Sequence, residues 1–277
     1  MCISSIGGDI IGSSHESSKK RPFTALFNEK SKFTDDTVLS VATMDAILNK
    51  RPYGEVYYEY AVKYPHRGYG GMFKDAIKKG KLEPYNSYGN GSAMRVGPIG
   101  FAYDSEKEVL EEAKKSAEVT HSHEDGIRGA QTIAYAIYLL NHDISKEEAG
   151  KIIEQKFGYN LQTPLIGFDH SFDVTCQGTI PRCWAIFNDT NSFEEAMRAS
   201  IELRGDVDTN CCVVGGLAEA LYKTPAKEIV KAVYEVIPLE MQEIVTKFTR
   251  KYINKDFQPP NTIIPITITN SILSLDI

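Results

Sequence analysis

Residues 127–140, Ile-Arg-Gly-Ala-Gln-Thr-Ile-Ala-Tyr-Ala-Ile-Tyr-Leu-Leu, carry apolar side chains at Ile127, Ala130, Ala134, Ile137 and Leu140. Steps of three and four residues align these side chains on one face of an α-helix, because one helical turn takes about 3.6 residues. The same spacing recurs over 36–48 (Val38, Val41, Ala42, Leu48), 193–201 and 214–221. Between these lie 106–119, 145–157, 225–233 and 239–252, which also read as helices. Most open on Ser, Thr, Pro or acidic residues suited to a first helical turn. The chain is therefore expected to be all-α. Two stretches resist the pattern: 13–33, polar with Pro22, and 161–181, with Pro164, Gly167 and Gly178. Loops of that length in compact domains are usually functional or disordered. The tail, 262–275, alternates Ile with Thr or Ser around Pro265 and reads as a short extended segment.

Composition narrows the function classes. The 277 residues are 42% apolar with a single Trp, as in ordinary globular proteins. A net charge of -6 and a pI near 5.6 oppose a surface built to neutralise nucleic-acid phosphates. Apolar runs such as 211–221 are broken by Gly and Glu, so none is expected to span a bilayer. The opening Met-Cys-Ile-Ser-Ser-Ile-Gly-Gly lacks the basic and then apolar order of a secretory signal. Five cysteines without metal-finger spacing suit reduced thiols. The expectation is a cytoplasmic monomer with neither nucleic acid nor membrane as partner.

Two segments concentrate hard oxygen ligands at helix starts. Phe33-Thr34-Asp35-Asp36-Thr37 precedes the 36–48 helix, and Gly205-Asp206-Val207-Asp208-Thr209 precedes the 214–221 helix. One Thr or Asp would serve as an N-cap, but two adjacent carboxylates between hydroxyls exceed what a cap needs. A helix N-terminus also favours the ionised carboxylate. If the segments converge, their four carboxylates repel unless cations neutralise them, and an all-oxygen set suits Mg²⁺, Mn²⁺ or Ca²⁺. A third segment, Ser87-Tyr88-Gly89-Asn90-Gly91-Ser92-Ala93-Met94-Arg95, reads either as a turn or as a backbone nest for phosphate. Arg95 is open between a phosphate contact and a structural salt bridge. Gly8-Asp9-Ile10-Ile11-Gly12-Ser13-Ser14-His15-Glu16 has glycines suited to close helix packing, and Glu16 is either a solvated loop residue or a catalytic one. In Thr120-His121-Ser122-His123, His121 reads as a hydrogen-bonding residue at a helix start that touches a ligand.

Taken in order, GDIIGSSHE (8–16), FTDDTVLS (33–40), SYGNGSAMRVGPIG (87–100), THSHEDGIRGAQ (120–131) and RGDVDTNCCVVGGLAEALY (204–222) resemble the ADP-ribosylglycohydrolase family. The likeness runs from residue 6 to about 235. It implies an all-α orthogonal helical bundle with a dimetal site in a central cleft. The chain is read as a single domain, 1–277, with a core over 1–254 and a tail over 255–277. The resemblance makes Thr34, Asp35, Asp36, Asp206, Asp208 and Thr209 ligands of two divalent cations, Mg²⁺ or Mn²⁺. It puts Glu16 where serine-specific members carry a catalytic glutamate, with Glu16 or Asp36 handling the proton. It assigns Ser87, Tyr88, Gly89, Asn90, Gly91, Met94 and His121 to ADP-ribose. Arg204 and Val207 depart from the Gly and Thr usual around the second acidic pair, and Val207 is expected to alter how that loop meets substrate.

The implied activity is metal-dependent release of ADP-ribose from an ADP-ribosylated protein. The linkage leans toward arginine, since a guanidine carries its own proton and needs no dedicated acid. The rival readings are a non-catalytic ADP-ribose-binding module and a hydrolase of a free ADP-ribose ester or ADP-ribose-like glycoside.

Overall fold

The computed structural model describes residues 2–16, 25–223 and 225–260. Among them run α1 (Ile3–Gly12), α2 (Asp35–Asn49), α3 (Tyr53–Lys63), α4 (Gly71–Lys78), α5 (Gly97–Ala102), α6 (Glu106–Glu118), α7 (Glu124–Asn141), α8 (Lys146–Phe157), α9 (Cys176–Asn188), α10 (Phe193–Leu203), α11 (Val207–Tyr222), α12 (Lys227–Val236) and α13 (Leu239–Tyr252). The described residues form no sheet, only an antiparallel bridge between Gly89 and Thr175. None of their helices is long and apolar enough to cross a membrane.

Each helix predicted from apolar spacing is present. Side-chain oxygens of Ser105, Ser145 and Ser192 accept amide hydrogens at the starts of α6, α8 and α10, which satisfies donors that a first turn leaves unpaired. The 161–181 stretch is only partly loop. Thr175 caps α9 by accepting from the Gly178 amide at 3.1 Å, and Pro181 lies inside that helix. A proline there removes one hydrogen bond and costs about 3 kcal/mol. Burial of Ile180, Cys183, Trp184 and Phe187 on α9 opposes that cost. The predicted extended tail, like residues 17–24 of the polar loop, lies outside the described residues.

The helix that organises the site, α1, carries only a short stripe, Ile3, Ile6 and Ile10, and every one of its residues is buried, Asp9 included. It packs along α11 at backbone contact. A Cβ on Gly8 would lie 2.0 Å from the Cys211 carbonyl oxygen, and one on Gly12 2.6 Å from the Asp208 Cα. This closeness brings Asp9 of α1 beside the acidic start of α11. Gly8→Ala is expected to destabilise the protein by about 3 kcal/mol through overpacking, read as a lower urea midpoint. An unchanged midpoint would mean that α1 and α11 do not make this contact.

All five cysteines are buried and free. Burial pushes the Cys2 and Cys176 thiols up to about 12, so they stay protonated and unreactive.

Candidate active site

The first acidic segment is held by a residue that carries no local sequence cue. Asp9 Oδ1 accepts from the Thr34 hydroxyl at 2.6 Å, and its Oδ2 accepts from the Thr34 and Thr37 amides at 2.9 and 3.2 Å. The Thr37 hydroxyl also donates to Oδ2. Asp9 thus clamps the first turn of α2 onto α1. Thr34 is the N-cap of α2, its hydroxyl oxygen 3.3 Å from the Asp36 amide. Asp36 is turned inward and buried, and its Oδ2 accepts from the Thr209 hydroxyl at 3.4 Å, which joins the two segments across the cleft.

The second segment closes the other side. Asp208 Oδ1 accepts from the Thr209 amide at 2.9 Å, and Asp206 Oδ2 accepts from the Asn90 side-chain amide at 2.7 Å. Carboxylate oxygens of Asp9, Asp36 and Asp208 lie within 4.8 Å of one another, as do those of Glu16, Asp206 and Asp208. Asp35 stands outside both groups. It is partly exposed, its amide donates to the Arg67 carbonyl at 2.7 Å, and its Oδ1 lies 2.7 Å from where a Cβ on Gly68 would be. Only glycine suits Gly68, whose φ is +108°.

This crowding has an electrostatic cost. Burial, followed by repulsion from neighbouring carboxylates, pushes Asp36 and Asp208 well above the usual carboxylate range. Burial also raises Asp206, lifts Asp9 to about 6 and lifts Asp35 to about 8. Asp36 Oδ1 is buried with no hydrogen-bond partner. An orphaned carboxylate oxygen among converging acids fits hard divalent cations, which take oxygen ligands and neutralise the charge.

The opposite wall is the Gly89–Gly91 turn. Its amides are not all free for an anion: Gly89 donates to the Ser87 hydroxyl oxygen at 3.1 Å and Asn90 to the Val174 carbonyl at 2.7 Å. The nest expected from consecutive amides is therefore already occupied at these two positions. The Asn90 side chain instead braces Asp206 and Thr179. Both glycines face His121, whose Nε2 lies 3.1 Å from a Cβ position on Gly91 and 3.6 Å from one on Gly89. Tyr88 is exposed and edge-on to His123, and unlike its neighbours Ser87 and Gly89 it does not line the cleft. Arg95 lines the cleft and makes no salt bridge among the described residues. It is fully buried, donates to the Ser116 carbonyl and Thr120 hydroxyl, and covers the Tyr57 ring at 4.5 Å.

These walls enclose a cleft of 460 Å³ lined by the acidic segments, Glu16, Ser87, the glycine turn, Met94 and His121. Arg67, Gly70, Met72 and Phe73 line it too, and sequence reading missed them. Gly68, Gly70 and Gly71 run into the start of α4, the same glycine-before-helix cue as at Gly89–Gly91. Phe172 and Val174 reach the cleft from the loop before α9, in keeping with a functional loop there.

A family model described as ADP-ribosylglycohydrolase matches residues 3–235. The chain belongs to the ADP-ribosylglycohydrolase family. Similar curated proteins include ADP-ribosylhydrolase ARH3 of Gallus gallus, 35% identical over 42% of this chain and 37% of that protein. The Mus musculus protein of that name is 34% identical over 46% of this chain and 39% of its own length. The chain thus aligns with about two fifths of these relatives. Among solved structures, one titled ADP-ribosylglycohydrolase-related protein complex superposes with a TM-score of 0.73. At 21% identity, covering 90% of this chain and 95% of that one, it shows a shared fold.

Two departures from the ADP-ribosylglycohydrolase pattern now have physical content. Val207 is buried in the core and does not line the cleft, so its effect on how that loop meets substrate would be indirect. Arg204 has φ +65° and ψ -148°, a conformation that glycine adopts freely and a Cβ strains. Arg204→Gly is expected to stabilise the protein by about 1 kcal/mol, measured as a higher urea midpoint. A lower midpoint would show that Arg204 makes contacts worth more than the strain.

Proposed function

We propose that this chain hydrolyses the bond between ADP-ribose and a protein side chain, using two divalent cations, Mg²⁺ or Mn²⁺. The observation that carries the reading is the buried acidic cluster with its orphaned Asp36 Oδ1, set across one cleft from the Gly89–Gly91 turn and His121. Asp36, Asp206, Asp208 and the hydroxyls of Thr34 and Thr209 are the proposed ligands, with Asp35 at the rim. Bound divalent cations supply fixation of ribose hydroxyls and a water of lowered pKa. Asn90 keeps Asp206 in place, while Ser87, Gly89, Gly91, Met94 and His121 form the wall against which ADP-ribose lies.

Cleavage at C1 develops oxocarbenium character on the ribose. The water oxygen joins C1, the bond from C1 to the side-chain atom breaks, and a proton reaches that leaving atom. Asp36 is committed to the buried cluster, so the proton task falls to Glu16, which is exposed yet within 4.8 Å of the Asp206 and Asp208 oxygens. An acid at that position removes the reason to favour a guanidine, which brings its own proton. It favours a serine-type oxygen linkage, whose alkoxide must be protonated as it departs. The proteins named ADP-ribosylhydrolase among the relatives support the substrate class.

The reading is tested with proteins ADP-ribosylated on serine or arginine and with ADP-ribosylated nucleic acid, each incubated with Mg²⁺ or Mn²⁺ while free ADP-ribose is measured. Release from the serine-linked protein is expected, and Glu16→Gln should slow it about a hundredfold with ADP-ribose affinity retained. Tight binding without turnover of any linkage would favour a binding module. Mn²⁺ at a hundred times its Kd should also stabilise the fold by about 2.7 kcal/mol. No thermal shift at any Mn²⁺ concentration would sink the cation assignment.

A further inference from the structure

The cleft contains a histidine whose hydrogen-bonding sense is set from behind. His121 is buried, with Nε2 facing Gly89 and Gly91 and Nδ1 2.7 Å from the Thr120 hydroxyl. That hydroxyl is 2.9 Å from Nη2 of Arg95, which also donates to the Ser116 carbonyl at 2.7 Å. A guanidinium has donors only, so the Thr120 oxygen must accept from Arg95. The hydroxyl has one hydrogen of its own, and Thr120 is fully buried. Among the described residues its Oγ1 makes its two close hydrogen bonds to Arg95 and His121, with the Tyr85 side chain a further, weaker partner and His121 Nδ1 the nearest acceptor. A buried hydroxyl hydrogen left without an acceptor is costly, so it points at His121 Nδ1.

From this we infer that Arg95 and Thr120 are positioning residues that hold His121 as the neutral tautomer with its hydrogen on Nε2, a fixed donor aimed at an oxygen of the bound ligand. Charge acts in the same direction. The Arg95 cation attracts the Nδ1 lone pair and repels a ring hydrogen there, and a hydroxyl that accepts from a cation becomes a better donor. Burial, and after it the nearby Arg95, holds His121 well below its ordinary value, so the ring remains neutral. Arg95 itself has no carboxylate partner among the described residues. The Ser116 carbonyl, the Thr120 oxygen and the face of Tyr57 take up its charge. Arg95 also lines the cleft, and its Nε and Nη1 are buried without a hydrogen-bond partner, so holding His121 uses only part of its donor set. The ligand group implied is a hydrogen-bond acceptor, such as a phosphate or ribose oxygen of ADP-ribose, and that identity rests on the function proposed above.

The test is long-range proton–nitrogen NMR on protein carrying ¹⁵N-histidine at neutral pH, with His121→Gln identifying the signal among six histidines. The expected spectrum shows a neutral His121 ring protonated at Nε2. Thr120→Val should mix the two tautomers and weaken ADP-ribose binding about tenfold, whereas Thr120→Ser should restore both. A wild-type ring protonated at Nδ1, or doubly protonated, overturns the inference without any variant. So does an unchanged tautomer in folded Thr120→Val. An Nε2–H ring in a protein that binds no ADP-ribose would leave the relay standing and sink the functional reading instead.

Discussion

Asp36→Asn is expected to lower turnover about a thousandfold, equivalent to about 4 kcal/mol of lost transition-state stabilisation, while raising the thermal stability of the metal-free protein. The two effects have opposite signs because one carboxylate has two consequences. In the absence of cations, Asp36 is a buried acid repelled by Asp9, Asp35 and Asp206, and the amide of Asn deletes that repulsion at nearly constant volume. On the proposed function, the same oxygen that lacks a protein partner would be a cation ligand, and an amide is a poorer one. Turnover at saturating Mn²⁺ and melting temperature in chelator are the two readouts. Wild-type turnover would remove Asp36 from the site. A large loss of stability in chelator would mean that Asp36 supports the fold as a hydrogen-bond acceptor, as Asp9 does.

Stability should respond to pH in opposite directions with and without cation. In chelator, Asp9 titrates near 6 and Asp35 near 8 in the folded protein, both raised mainly by burial from 3.8. The folded state therefore holds protons that the unfolded chain has released. That contribution is fully present below about pH 4 and is lost as pH rises through the folded values, giving a urea midpoint that declines between about pH 4 and pH 8. Saturating Mn²⁺ competes with protons for the same oxygens, so its stabilisation grows over this window and the decline flattens or reverses. Parallel pH profiles with and without Mn²⁺ would show that the acids do not share a cation.

Much of the fold was legible because α6, α7, α8, α10, α12 and α13 lie against the core on one face and meet water on the other. The helices α2 and α11 are buried along nearly their whole length and were legible through apolar spacing over fifteen and sixteen residues. The helix α1 is also buried all round, and its periodic signal is confined to Ile3, Ile6 and Ile10 within ten residues, too short a run to separate helix from strand. Pro181 misled because a proline normally ends a helix, whereas α9 tolerates it through the packing of Trp184 and Phe187. In the site, Thr34 to Asp36 and Asp206 to Thr209 were legible through local density of acids and hydroxyls, a pattern too rich for capping. Asp9 was not, because its partners Thr34 and Thr37 are 25 and 28 residues away and only the fold joins them. Arg67 to Phe73 had a readable glycine cue that passed unused. The tertiary contact that turned Asn90 from a phosphate nest to a brace for Asp206 left no trace in the sequence.

The proposed function requires Asp36, Asp206 and Asp208 to hold two cations in the cleft. Anomalous diffraction from a crystal grown with Mn²⁺, recorded near the manganese edge, tests it most directly. Two peaks are expected between the Thr34–Asp36 and Asp206–Thr209 segments, one of them against Asp36 Oδ1. A map with no peak in the cleft at saturating Mn²⁺, or with manganese bound only elsewhere, would contradict it.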